Sequence, residues 1–298
     1  MEVKTQYELL SQQVHSWIEE EVSHYQKQLL KDFEDEFSDT AEWATAYKIF
    51  KHLFDHVLGD HVPQLGLSAD QANLLLSLEH GMHELEPRRD AATIYLWRSE
   101  TRKALATTPE AIEETQRKIL DISAGLFRVL ISTSSFIGNQ ESSFQRLRDL
   151  IVSPAAELAS SIKLSPTQFC VGQKLHIDSL ERYEPARLEL CGKYKMIDVS
   201  TRKVLKASSS IYVNENGFIG RVIVLLEPSL KRIDSVSQKS LTLRPATMLV
   251  VLKRPLGQSH RFGIDGEDNT SRSNEDRSYH EKLVGLMKDF DAVFRLTS

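Results

Sequence analysis

RLELCGKYKM, residues 187–196, alternates apolar and polar side chains, and this stretch decides the fold class. One face carries Leu188, Leu190, Tyr194 and Met196, and the other carries Glu189, Lys193 and Lys195. Because successive side chains of a strand point to opposite faces, the pattern predicts a β-strand with one buried face. A similar run at 205–213, a turn signal at 214–217 and an apolar run at 218–226 extend it. Residues 166–256 are therefore predicted to form a β-rich module with an antiparallel meander.

Before residue 166 the apolar spacing is typical of helices. Over residues 5–37, which contain no Gly or Pro, apolar side chains recur every three or four positions. This spacing predicts one amphipathic helix of about 33 residues, roughly 50 Å at 1.5 Å rise per residue, long enough for a coiled coil. Ser68 with Gln71, and Thr108 with Pro109, are capping signals for later helices. We expect residues 1–165 to form a helical domain with a multi-helix bundle.

The last part of the chain has two further patterns. Residues 257–278 are rich in Gly, Ser, Asn, Asp and Glu, a composition that predicts a flexible linker. Residues 279–298 have apolar residues at helical spacing and predict a C-terminal amphipathic helix. The predicted fold class is α+β: an N-terminal multi-helix bundle, an antiparallel β meander, the linker and the final helix.

Charge is distributed unevenly along the chain. Residues 1–86 contain 17 Asp and Glu against 5 Lys and Arg, and residues 187–262 contain 14 Lys and Arg against 5 acids. The total of −5 therefore combines an acidic helical half with a basic β module. Opposed charges of this kind can steer a partner of the opposite sign to each half.

Five basic side chains are candidate contacts for a protein partner or a nucleic acid. They are Lys193, Lys195, Lys206, Lys253 and Arg254. Proteins that bind single strands on a sheet add aromatic side chains on which bases stack, and these basic positions have no such set. Nucleic-acid binding through the β module is therefore the alternative function and not the leading one.

Histidines in the first half suggest a second alternative, a metal-binding enzyme built in a helical bundle. His52, His56 and His61 form one group, and His80 and His83 form another. Positions three or four apart share a helix face, so each group could present two imidazoles to one ion. The Glu of a His-Glu-x-x-His motif is missing, however, and we predict no metal site and no cofactor.

Motifs for other reactions are weak or missing. Ser160 and Lys163 have Ser-x-x-Lys spacing but none of the accompanying segments, and the chain has no Walker loop and no Gly-x-Ser-x-Gly. Cys170 and Cys191 are too few for a disulfide framework and are predicted to be free thiols. The sequence has no secretory signal and no apolar run near 20 residues, so we expect no membrane span and a cytoplasmic or nuclear location.

The leading interpretation is a non-enzymatic intracellular interaction, scaffold or adaptor subunit. Its acidic helical half and basic β module would be the surfaces for a protein partner or for a second copy in a homo-oligomer. No catalytic residue is predicted.

Overall fold

The structure, a computed structural model, describes only part of the chain. The described residues are 2–25, 40–87, 89–132, 134–136, 139–172, 185–187, 190–191, 193–199, 201–206, 218–234, 237 and 239–252. The α+β class is confirmed: helices fill the first half of the described chain and strands the second. The predicted linker at 257–278, the C-terminal helix at 279–298 and the residues Lys253 and Arg254 lie outside the described residues.

Helices account for most of the described residues before 165. They are α1 (Val3–Glu21), α2 (Thr40–Leu53), α3 (Ala69–Glu84), α4 (Ala91–Ala106), α5 (Pro109–Ile131), α6 (Gln140–Leu147) and α7 (Ser153–Lys163). Short π-helical segments, Phe54–Leu58 and Arg148–Val152, continue α2 and α6. Both predicted capping signals are confirmed: Ser68 and Gln71 form a capping box on α3, and Thr108 caps α5 ahead of Pro109.

The prediction of one helix across residues 5–37 is wrong. α1 ends at Glu21 after 19 residues, roughly 28 Å at 1.5 Å per residue. β1 (Val22–Tyr25) follows and pairs antiparallel with β2 (Ser134–Phe136). Periodicity within one window cannot reveal this pairing, because the partner strand lies more than a hundred residues away. The described part of this segment is therefore too short to support the coiled coil that a helix of about 33 residues would favour.

Apart from the β1–β2 pair, the strands of the described residues form two sheets beside the helices. They are β3 (Gln168–Gly172), β4 (Pro185–Arg187), β5 (Lys195–Asp198), β6 (Phe218–Glu227), β7 (Ser229–Ile233), β8 (Ser240–Arg244) and β9 (Thr247–Leu252). One sheet has the order β3-β7-β8 and is antiparallel. The other has the order β4-β6-β9-β5, in which β5 runs parallel to β9. The connectivity is therefore mixed and more complex than a simple meander.

The alternating stretch at 187–196 is not one continuous strand. The backbone N–H groups of Lys193 and Tyr194 both donate to the carbonyl of Leu190 at 2.9 Å, which makes a tight turn. β5 begins only at Lys195. The alternation correctly indicates a β region, but the turn after Leu190 interrupts the predicted strand.

Helices and sheets share one hydrophobic core. The main cluster joins buried side chains of α1, α2, α5 and α7 to Ile197, Leu226, Leu230 and Leu249 of the strands. A second, smaller cluster lies on the other face of the mixed sheet and includes Met196, Val222, Leu225, Met248 and Val250. The mixed sheet thus has one face against the helices, with α2 packed against β6.

Candidate functional site

A buried carboxylate lies where the two sheets meet. Glu227 is the last residue of β6, and Pro228 separates it from β7 in the other sheet. Because proline has no N–H for the ladder, the chain leaves one sheet there and enters the next. The Glu227 side chain is only 3% exposed, so its charge needs partners to offset the cost of leaving water.

Among the described residues, four side chains contact the two oxygens of Glu227. Ser11 Oγ donates to Oε1 at 2.9 Å, and Nε2 of His15 lies 3.4 Å from the same oxygen. Arg244 Nη2 donates to Oε2 at 3.1 Å, and Thr247 Oγ1 donates to it at 3.3 Å. Each oxygen therefore has two partners, one set contributed by α1 and the other by β8 and β9.

This environment keeps Glu227 ionised. Burial by itself raises the pKa of the carboxyl, but the hydrogen bond from His15, the charge of Arg244 and the hydrogen bond from Ser11 together lower the pKa to about 2. The carboxylate is therefore a permanent negative charge between helix and sheets near neutral pH.

Further contacts of Arg244 and α1 complete the network. Arg244 Nη2 donates to Ser11 Oγ at 3.2 Å, Nη1 lies 3.8 Å from a carboxylate oxygen of Glu8, and the guanidinium lies 5.7 Å from the Tyr7 ring centre. The Tyr7 hydroxyl donates to the carbonyl of Pro228 at 2.6 Å. These bonds attach α1 to the point where the sheets join.

A cleft of about 540 Å³ opens beside this network, and we call it the Glu227 cleft. It is lined by Glu8, Ser11, Gln12, His15, Ser16 and Glu19 of α1, Trp43 of α2, Lys195 and Ile197 of β5, Leu226 and Glu227 of β6, and Arg244 of β8. The cleft thus has polar walls, a few apolar surfaces and charges of both signs. A volume of this size is typical of small-molecule sites.

A serine, a histidine and a carboxylate meet here, but their geometry differs from that of a catalytic triad. In a triad the imidazole lies between the hydroxyl and the carboxylate. Here Ser11 donates directly to Glu227, and His15 contacts the same carboxylate oxygen. Ser11 Oγ also accepts from Arg244. This arrangement connects α1 to the sheets and does not place an imidazole to activate the hydroxyl.

The basic residues predicted as partner contacts have separate positions. Lys195 lies on β5 and lines the Glu227 cleft. Lys193 is exposed in the turn before β5, and Lys206 is exposed beyond the bridge between Ile197 and Val204. The structure does not place these three lysines on one strand face, and their contact with a partner stays a prediction.

The histidine groups make local contacts. His52 Nε2 lies 3.2 Å from the carbonyl of Ile122, and burial lowers the His52 pKa to about 4. His61 Nε2 lies 3.2 Å from the carbonyl of Asp55. Over the described ranges, no group of three or more His, Cys, Asp or Glu side chains is arranged to hold a metal ion.

The remaining candidates are also accounted for by local contacts. The Lys163 ammonium group donates to the carbonyl of Val62, and burial followed by the charge of Arg102 lowers its pKa to about 8. Neither cysteine forms a disulfide within the described residues, and Cys170 Sγ donates to a carboxylate oxygen of Asp60 at 3.0 Å. Among the helices of the described ranges, none combines the length and apolar character needed to span a membrane.

A second candidate surface lies on α3. Four leucines of its described residues are about half exposed: Leu76 at 58%, on another side of the helix, and the three residues Leu74 at 59%, Leu78 at 46% and Leu85, just after the helix, at 47%. Leu78 follows Leu74 by one turn and Leu85 follows Leu78 by two, so the three side chains form one stripe, which we call the leucine stripe. Gly81 lies between them, and an added Cβ there would meet no atom within 4 Å.

Acidic residues lie beside the leucine stripe. α3 carries Asp70, Glu79 and Glu84 and no Lys or Arg. Glu79 pairs with Arg98 of α4 at 3.1 Å, which joins the two helices into a hairpin. Glu84 lies 3.2 Å from Nε2 of the exposed His80 on the same helix. The stripe is therefore an apolar surface with an acidic border.

Sequence reasoning missed Ser11, His15, Glu227 and Arg244. Glu227 and Arg244 each precede a proline at the end of a strand, in Glu227-Pro228 and Arg244-Pro245. The available signal in the sequence is a charged residue at the end of an apolar run. This signal indicates where a strand ends, but it does not show which residue will contact the charged side chain.

No protein family, no curated protein and no solved structure matches this chain. Geometry and charge are therefore the basis for a proposed function.

Proposed function

We propose that this protein is a non-enzymatic interaction or scaffold subunit whose leucine stripe binds a basic amphipathic helix of a protein partner. The supporting observation is the stripe itself, since three large apolar side chains lie exposed on one side of a helix. Contiguous apolar surface of this kind is typical of protein interaction sites. A cytoplasmic or nuclear location is part of the same proposal.

The spacing of the stripe favours a helical partner. Leu74 and Leu78 lie one turn apart and Leu85 lies two turns further, which matches the contact line between two packed helices. The open space over Gly81 lets a second helix approach closely. Covering each half-exposed leucine contributes about 1 kcal/mol to binding, before the cost of association.

Charge favours a basic partner. Asp70 and Glu84 border the stripe, and α3 has no basic residue other than His80 and His83. Lysines or arginines beside the leucines of a partner helix would complement this border. An acidic helix of the same apolar pattern would be repelled.

The test uses full-length protein and two designed peptide helices with the same leucine pattern, one with lysine flanks and one with glutamate flanks. We expect the lysine peptide to bind and the glutamate peptide to bind much more weakly, measured by fluorescence anisotropy. The double substitution Leu74→Ser with Leu78→Ser should abolish binding. The matched control is Leu120→Ser, because Leu120 is 45% exposed on a different helix, α5.

Two outcomes would overturn the proposal: no binding of the lysine peptide, or equal binding by the stripe variant and the wild type. Light scattering measures whether a second copy of this chain binds the leucine stripe instead. A dimer that the double substitution converts to monomer would assign the stripe to self-association instead.

A further inference from the structure

We propose that the Glu227 cleft binds a small zwitterion of amino-acid or dipeptide size. Lys195 binds the carboxylate of this ligand, Glu19 binds its ammonium group, and Trp43 with Ile197 contacts its apolar part. This ligand site lies on α1, α2 and the mixed sheet, apart from the leucine stripe.

The position of Lys195 follows from the sheet register. Lys195 on β5 is the partner of Thr247 on β9, and Thr247 is the partner of Glu227 on β6. Residues directly opposite on neighbouring strands share a sheet face, so all three point toward α1. Ile197, two residues along β5, is on that face too and belongs to the core shared with the helices. Lys195 is thus two strands, roughly 10 Å, from Glu227.

The charges near Glu227 are already matched, whereas those at the other end of the cleft are not. Arg244 and His15 contact Glu227, and Glu8 lies beside Arg244. Lys195 and Glu19 both line the cleft, and within the described part of the chain neither forms an ion pair. One positive and one negative group therefore remain for a ligand.

Apolar surface and an unpaired donor lie beside these charges. Trp43 packs edge-on against His15, with ring centres 6.2 Å apart, and its indole Nε1 is buried without a hydrogen-bond partner among the described residues. Ile197 and Leu226 also line the cleft. Trp43 and these aliphatic side chains therefore give the cleft an apolar surface for the uncharged part of a ligand.

The pair of opposite charges favours a zwitterion over a simple ion. An anion bound at Lys195 would be repelled by the carboxylates of Glu8 and Glu19, which line the same cleft. A cation bound at Glu19 would leave Lys195 without a counter-charge in the cleft. A ligand with both groups satisfies both side chains, and the volume of about 540 Å³ accommodates an amino acid or a dipeptide.

The test begins with wild-type full-length protein and a pooled mixture of the common amino acids and dipeptides at millimolar concentration, with ligand-observed NMR as the readout. The best binder is then compared with its N-acetyl and C-terminal amide derivatives by titration calorimetry. We expect loss of either charge to weaken binding by about tenfold. Absence of any binder, or equal binding of the derivatives, would overturn the proposal.

Variants assign the two charges to residues. Lys195→Met should bind the free acid and the amide equally, and Glu19→Gln should bind the amine and the N-acetyl form equally, because each substitution removes one half of an ion pair. Lys193→Met is the matched control, since Lys193 is exposed two residues away and does not line the cleft. If Lys195→Met retains the preference of the wild type for the free acid, Lys195 is not the anchor and the proposal fails. The comparison of ligand derivatives on wild-type protein decides the question even if a variant does not fold.

Discussion

Ser11 and Glu227 are 216 residues apart in the chain, yet their side chains share a buried hydrogen bond of 2.9 Å. Ser11 belongs to the first helix and Glu227 to the strand end where the two sheets meet. Arg244 bonds to both of them. The link between the helical half and the β module is therefore a charged, hydrogen-bonded network above a shared apolar core.

Removal of the Glu227 charge should destabilise the protein. Glu227→Gln leaves the Arg244 guanidinium in the network without its closest counter-charge, and loss of one member of a buried ion pair costs about 3 kcal/mol. The free energy of unfolding in urea measures this loss. Glu20→Gln is the control, since Glu20 pairs with Arg146 at the exposed surface. Equal effects of the two substitutions would contradict the network's role.

The same carboxylate should control acid stability. Its pKa falls from an ordinary value of 4.5 to about 2 on folding, so the stabilisation is complete above pH 4.5 and is lost as the pH falls toward 2. We expect the unfolding free energy of Glu227→Gln to fall less steeply than that of the wild type over this interval. Parallel curves for the two proteins would show that other groups control acid unfolding.

Lys48 should produce a second rise of stability with pH, in a more alkaline interval. Burial lowers its pKa from 10.5 to about 7, so the folded state disfavours the protonated amine. The unfolded chain then binds more protons between these values, and stability rises as the pH rises from 7 to 10.5. Lys48→Met should flatten this rise. Lys51→Met should retain it, because Lys51 forms an ion pair with Asp55 at 3.0 Å.

The shared core predicts one cooperative unfolding transition. Leu158→Ala in α7 and Leu230→Ala in β7 each leave a cavity in the same cluster, at a cost of about 2–5 kcal/mol. Both substitutions should then shift the denaturation curve of the helices, measured by circular dichroism. A helix transition that Leu230→Ala leaves unchanged would instead favour independent domains with a boundary near residue 165.

The leucine stripe should contribute little to folding. Leu78→Ser changes a half-exposed side chain, and we expect a stability change within about 0.5 kcal/mol. Leu75 is buried on the packed side of α3, so Leu75→Ser should cost several times more. Thermal unfolding measures both. A large loss for Leu78→Ser would mean that the stripe packs within the chain.

Local signals predicted local features well. The caps at Ser68 and Thr108 were recognisable because a side chain and a backbone N–H three residues away form the contact. The end of α1 at Glu21 could not be recognised in the same way, since β1 forms by pairing with a strand from residues 134–136. The turn at Leu190 was hidden within an alternation that otherwise resembles a strand.

Composition and periodicity by themselves determined the α+β class, the order of helices before strands and the opposition of acidic and basic halves. These features depend on neighbouring residues, which a sequence displays directly. Only the tertiary structure decided that Glu227 meets Ser11, His15 and Arg244, and that Lys195 lines a cleft. It also decided that the stripe through Leu74 and Leu78 stays exposed. Each of these relationships depends on which faces pack together, and packing is set by contacts between residues that are distant in the chain.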